Sequence, residues 1–229
     1  MDKGFEIGVL TRLQGKEENP FDRVARFGLH VCQLCNWDES LWSRAVARAK
    51  KAQAEDVGVR ITAVWAGWPG PRVWNFVDGP NTLGLVPAAY RDVRVRALKK
   101  AADFAAELGA PAIITHVGFI PENPRDPEYA GTLKAVKKVA SYCLRKGIEF
   151  WFETGQETPV TLLRTIEDIN LPNLGINFDT ANVVLYGKAN PVDSLDVYGA
   201  YVRNLHAKDG LYPTQGRELG REVPIGRGK

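Results

Sequence analysis

The 229 residues carry 30 Lys and Arg against 27 Asp and Glu, a net charge of +3, with 45% hydrophobic and 25% charged residues. This is the balance of an ordinary globular enzyme, and so small a charge excludes a partner held by bulk electrostatics, whether nucleic acid or membrane. No run approaches the ~18 apolar residues of a membrane span and Met1-Asp-Lys-Gly-Phe5 lacks the apolar core of an export signal, while three cysteines, an odd number, argue against a disulfide framework and for the reducing cytoplasm.

In chain order, Phe5 to Leu10 reads as a strand. Phe21 to Phe27 reads as a short helix, with Asn19 as cap and Pro20 at its first position. His30 to Cys35 is a second strand. Asp38 is the expected cap of a helix over 41–56, whose apolar positions follow a helical period. Val59 to Trp65 is a third strand, followed by an irregular stretch, 66–88, rich in Gly and Pro and holding Trp68, Trp74 and Phe76. Tyr90 to Leu108 is a helix ended by Gly109, Pro111 to His116 a fourth strand, and Glu128 to Arg145 a further helix ended by Gly147.

The next three strands share a grammar. Ile148-Glu-Phe-Trp-Phe-Glu153 is apolar and stops on a carboxylate. A helix from Thr158-Pro159 to about Ile169 leads to Leu174-Gly-Ile-Asn-Phe-Asp179, which stops on another. A helix from Asn190-Pro191 leads to Val202-Arg-Asn-Leu-His206, which stops on an imidazole. Alternating strands and helices joined by short turns predict a parallel sheet with right-handed crossovers. A doubly wound sheet shares these cues. A (β/α)8 TIM barrel is favoured because polar strand ends recur over strands four to seven, and in a barrel they all point into one mouth. One barrel domain over 1–229 is the expected organisation. Only 23 residues follow His206, and an eighth unit needs ~25–30 more, so that unit is expected to be missing or cut short.

Glu153, Asp179 and His206 are therefore candidate ligands of one divalent ion, Mn, Mg, Co or Zn, since one imidazole and two carboxylates make a mixed N/O set rather than a thiophilic one. A single strand-end carboxylate is ordinarily a turn or cap residue; three in successive units are harder to dismiss. Cys32 and Cys35 form a C-x-x-C, but positions i and i+3 of a strand face opposite ways, so no metal or redox pair is expected there.

Phe152-Glu-Thr-Gly155, Asn177-Phe-Asp-Thr-Ala-Asn182 and Leu205-His-Ala-Lys-Asp-Gly210 resemble the motifs of the xylose-isomerase-like TIM-barrel superfamily of sugar phosphate isomerases and epimerases, inosose dehydratases and ketose 3-epimerases. The resemblance implies that Glu153, Asp179 and His206 bind one metal, completed by a glutamate on strand eight. Pro224-Ile-Gly-Arg-Gly228 is similar to the segment that leads into that strand. It also implies an enediolate mechanism on a small sugar, sugar phosphate or polyol, with Glu153 as one proton carrier; an inosose-type dehydratase and a non-catalytic sugar-binding barrel are the alternatives. An apurinic endonuclease of the same fold would need many histidines, and this chain has three.

The resemblance makes His116 a substrate-facing residue, with a neutral imidazole bonded inside the barrel as the plainer role. Asn182 stands where ketose 3-epimerases carry histidine, and Gln33 where relatives often carry a substrate-binding glutamate. Lys208 and Asp209 are placed at the mouth, and Arg221 in the loop beyond as a grip on a substrate anion or hydroxyl. Trp37 and Trp68 are candidates to stack on a sugar ring, though such tryptophans serve equally as packing or as a homo-oligomer contact.

Overall fold

The computed structural model describes residues 5–229. Seven strands, β1 (Val9–Arg12), β2 (Val31–Asn36), β3 (Arg60–Ala66), β4 (Ala112–Thr115), β5 (Glu149–Glu153), β6 (Leu174–Asp179) and β7 (Val202–His206), form one parallel sheet in sequence order. They curl into an open barrel: β1 and β7 are its two ends and do not pair with each other. Helices α1 (Asp22–Arg26), α2 (Arg44–Asp56), α3 (Gly79–Thr82), α4 (Ala88–Leu108), α5 (Pro127–Arg145), α6 (Pro159–Ile169), α7 (Thr180–Leu185) and α8 (Pro191–Tyr198) fill the connections. A short antiparallel hairpin, β8 (Asp209–Leu211) and β9 (Arg221–Val223), follows the barrel strands. No helix among the described residues is long and apolar enough to cross a membrane.

Period-two side chains divide each strand between two layers. The outer layer is the main core, where Leu34, Val64, Ile113, Phe150, Phe152, Ile176 and Phe178 meet the helices. The inner layer is smaller and is built from Cys35, Ala63, Trp65, Ala112, Ile114 and Trp151. Cys32 belongs to the outer layer and Cys35 to the inner one, so the two sulfurs lie on opposite faces of the sheet. Burial pushes both thiols up, to about 12 and about 11.

Local chemistry places the helix starts. Pro127, Pro159 and Pro191 occupy first helical positions, behind Asp126, Thr158 and Asn190, whose side chains accept from the first-turn N–H groups. Gly109 ends α4 at φ 85°, in the left-handed region.

Several boundaries differ from the sequence expectation. β1 begins at Val9 rather than Phe5, because the pairing register matches Val9 to Cys32 and β2 starts one residue earlier, leaving Phe5 and Ile7 nothing to pair with. Asp38 caps a single 3-10 turn over Glu39–Leu41, and the hydroxyl of Ser43 caps α2 instead. Asn19 does not cap α1: its side chain accepts from the Phe21 N–H, and it stands two residues before the N-cap position, which Phe21 occupies, so that the helix starts at Asp22. The stretch 66–88 is irregular except for α3.

Residues 83–85 run against 117–118 so closely that a Cβ on Gly84 would sit 2.0 Å from the Val117 carbonyl oxygen, and Gly84 has φ +68°. Gly58 has nearly the same φ, +67°, with open space around it. Gly58→Ala is expected to cost about 1 kcal/mol, the backbone strain alone. Gly84→Ala is expected to cost about 3 kcal/mol or more, because the two loops must separate. Urea midpoints of the two variants measure the difference.

Candidate metal centre at the barrel mouth

The three strand-end residues meet. Glu153 closes β5, Asp179 closes β6 and His206 closes β7, and β6 and β7 pair Asp179 directly with His206. This pairing depends on a shift of register. Ile176 pairs with Val202, but Asn177 pairs with Asn204, so β7 passes Arg203 with no partner. Without that extra residue Leu205 would stand opposite Asp179 and the imidazole would turn to the outer layer.

One ligand atom from each of Glu153, Asp179 and His206 can be chosen so that all lie within 4.8 Å of one another. His206 Nδ1 is 2.9 Å from Glu153 Oε1 and 3.5 Å from Asp179 Oδ2. The other Glu153 oxygen, Oε2, accepts from Trp65 Nε1 at 3.1 Å and from Asn177 Nδ2 at 2.5 Å. Asp179 Oδ1 accepts the Asn182 backbone N–H at 2.9 Å, which makes Asp179 the cap of α7 as well as the end of β6. Asp179 Oδ2 is buried and accepts no hydrogen bond of good geometry, although Lys208 Nζ lies 3.0 Å away. A buried carboxylate oxygen short of a donor, facing an imidazole nitrogen and a second carboxylate, fits a divalent cation.

Charge pairing outweighs burial here. Burial alone would lower the His206 pKa, but the charge of Glu153 and the contacts with Asp179 raise it to about 10. Burial pushes the Asp179 carboxyl up, yet His206 and Lys208 together hold it below its ordinary value. Lys208 is raised, its own desolvation being overcome by Asp179, and its ammonium also reaches Glu222 of β9 at 3.3 Å.

The other sequence candidates fall in three places. His116, just after β4, is buried; its Nδ1 lies 3.0 Å from Gln156 Oε1, and burial lowers its pKa, leaving a neutral imidazole. Trp37, Trp65, Trp68 and Trp74 form a connected aromatic wall beside it, with Trp37 4.8 Å from Trp68 and Trp74 5.2 Å from the His116 ring. Trp68 is buried under Arg94; Trp37 is half-buried, with Arg72 4.6 Å above its ring. Asn182 and Asp209 are turned to the backbone: Asn182 Nδ2 donates to the Thr154 carbonyl, and Asp209 accepts from the N–H groups of Gly210, Gly226 and Gly228. Arg221 is exposed on β9.

Three residues of the site were not singled out from the sequence as its parts: Asn177, Gln156 and Glu157. Asn177 carried a signal, being an amide inside an apolar strand and two residues from Asp179, hence on the same face. Glu157 is buried behind β5, and that burial raises its carboxyl to about 8.

A family model described as xylose isomerase-like TIM barrel matches residues 21–229. The chain belongs to that family. Over its full length it is 33% identical to a xylose isomerase domain protein from Planctomyces limnophilus, of which it covers 84%, with a TM-score of 0.92. A D-tagatose 3-epimerase-like protein is 21% identical over 97% of this chain and 82% of its own, with a TM-score of 0.71, a likeness of fold. Further solved proteins of the fold include sugar epimerases and a 3-DHS dehydratase. An uncharacterised protein of Methanocaldococcus jannaschii is 29% identical over 131 residues, 52% of this chain, and the match spans under half of that relative, 44%.

The metal-free ion pairs have a pH signature. His206 has a folded pKa above its unfolded one, so its contribution is complete below about pH 6.5 and fades as pH rises towards 10. In chelator, the stability difference between the wild type and His206→Gln should be largest near pH 6 and shrink steadily up to pH 10. Urea unfolding at four or five pH values checks it; a gap that widens with pH contradicts the pairing.

Proposed function

We propose that the chain is a divalent-metal-dependent isomerase or epimerase acting on a small sugar, sugar phosphate or polyol derivative. The observation that carries this reading is the convergence of Glu153, Asp179 and His206 around the unsatisfied oxygen of Asp179. Glu153, Asp179 Oδ2 and His206 Nδ1 would hold the ion. When bound, it supplies a Lewis acid that polarises a carbonyl and stabilises an enediolate.

The chain's own residues account for the rest. Glu153 takes the proton from the carbon beside the carbonyl; Trp65 and Asn177 donate to its Oε2, while its Oε1 faces His206 Nδ1 at 2.9 Å, on the side where the ion and substrate would sit. The family resemblance gives the returning proton to a glutamate on an eighth strand, outside the seven described. Lys208 brings a positive charge to the same rim, suited to a substrate hydroxyl or developing oxyanion. His116, held neutral, suits a hydrogen bond to a hydroxyl rather than a salt bridge. Trp37 offers a half-buried ring face for stacking, and the wall behind it keeps water from the reacting carbon. Arg221, Asp209 and Asn182 are placed in the substrate shell by the sequence reading. Dehydration is the second reading: Asn182, bonded to the Thr154 carbonyl, stands where ketose 3-epimerases have histidine, and an enolate formed by Glu153 can expel a neighbouring hydroxyl as water when that hydroxyl takes a proton, for which the Lys208 ammonium is a donor.

Three outcomes are expected. The purified protein should bind about one Mn²⁺ or Co²⁺ per chain by titration calorimetry, and Glu153→Gln or His206→Ala should lose it; uptake untouched by both changes would remove the site. Metal uptake should release about one proton near neutral pH, because the ion displaces a proton from His206, so affinity should rise up to tenfold per pH unit. In deuterated water a ketose substrate should gain deuterium beside the carbonyl, with Glu153→Gln slowing exchange by about 10²–10⁴-fold.

A further inference from the structure

Glu153, Asn177, Gln33 and His206 close a ring of buried hydrogen bonds whose direction is fixed at one point. An ionised carboxylate only accepts hydrogen bonds. Glu153 Oε2 therefore requires the amide nitrogen of Asn177, which donates to it at 2.5 Å. That orientation turns Asn177 Oδ1 the other way, where it accepts from Gln33 Nε2 at 2.9 Å and from Asn204 Nδ2 at 2.8 Å. Gln33 has then spent its donor end, and its Oε1 faces His206 Nε2 at 2.8 Å. An amide oxygen accepts, so Nε2 of His206 must carry a proton; Nδ1 carries the other, donated to Glu153 Oε1 at 2.9 Å, and that second proton is the one a cation would displace. The remaining ring nitrogen, Nδ1, points to Glu153 and Asp179.

We propose that Gln33 and Asn177 are positioning residues that pass the acceptor character of Glu153 through two side-chain amides and thereby fix which nitrogen of His206 serves the metal centre. Nε2–H is the donor and Nδ1 the ligand atom. The consequence for the metal rests on the function proposed above; the direction of the hydrogen bonds does not. Three features support a built relay rather than incidental contact. Gln33, Asn177 and Glu153 are all buried in the barrel interior, where polar groups need partners. Asn204 gives Asn177 Oδ1 a second donor, so reversing that amide would set two donors against each other and an oxygen against a carboxylate. The residues come from β2, β5, β6 and β7, so the ring ties β2 to three strands it does not neighbour in the sheet.

The test is NMR of protein labelled with ¹⁵N-histidine, with ¹¹³Cd²⁺ as the probe. Wild-type protein should show cadmium coupled to Nδ1 of His206 and a retained Nε2–H that exchanges slowly with solvent. Coupling to Nε2 would overturn the proposal without any variant. Gln33→Met, close in shape but unable to hydrogen-bond, should keep the fold by circular dichroism, speed exchange of the Nε2 proton by about tenfold or more, and weaken metal binding about 10–100-fold. Unchanged exchange and affinity within twofold would also overturn it. If wild-type protein takes up no Cd²⁺, the metal reading fails, and the metal-free spectrum still decides the relay: a protected Nε2–H on His206 supports it, and a fast-exchanging one defeats it.

Discussion

A strand that spends one residue more than its neighbour changes the face of every side chain that follows. This barrel does so twice. β3 passes Thr62 between the pairs Cys32–Ile61 and Gln33–Ala63, and the Thr62 hydroxyl bonds the Cys32 carbonyl at the bulge. β7 passes Arg203 in the same way. Below each bulge the strands give apolar residues to the helix-facing core; above it they turn Ala63 and Trp65, or Asn204 and His206, to the barrel interior. The mouth can be polar while the outer layer stays apolar because these two bulges reset the alternation.

The polar floor then costs the fold little, since its charges balance locally. Two buried carboxylates face one imidazolium and one ammonium, and most remaining lone pairs meet N–H groups from Trp65, Asn177 and Asn182. Removing one partner from such a set leaves another charge buried alone, which is more damaging than the pair was stabilising. Asp179 Oδ2, which faces the Lys208 ammonium at 3.0 Å but accepts no hydrogen bond, is the atom that a cation would complete.

Much of this was legible in the sequence because it is local. An apolar run ending on an ionisable residue places that residue at a sheet rim, and three such runs gave Glu153, Asp179 and His206. Pro after Thr158 or Asn190 starts a helix wherever the chain later goes. The bulges, by contrast, exist only between strands, and nothing within Val202–His206 announces that Arg203 will have no partner. The same holds for α7 and for the β8–β9 hairpin: α7 is six residues long and starts on the residue after β6, and the hairpin joins segments separated by a loop of nine residues, 212–220. Gln33 reads as a neutral exception in a strand until its distance to His206, 173 residues away, is known.

Arg94 gives the other side of the mouth a different character. Its guanidinium is buried without a carboxylate; it donates to the carbonyls of Pro69, Pro71 and Gly84 and lies between the rings of Trp68 and Tyr90. Uncharged partners do not titrate, so across acid and neutral pH this clamp keeps its strength while the floor of ion pairs changes. The aromatic wall and the ligand-bearing rim are thus held by interactions of different kinds. Acid loosens the second and leaves the first standing, so the shape of the mouth can outlast its chemistry.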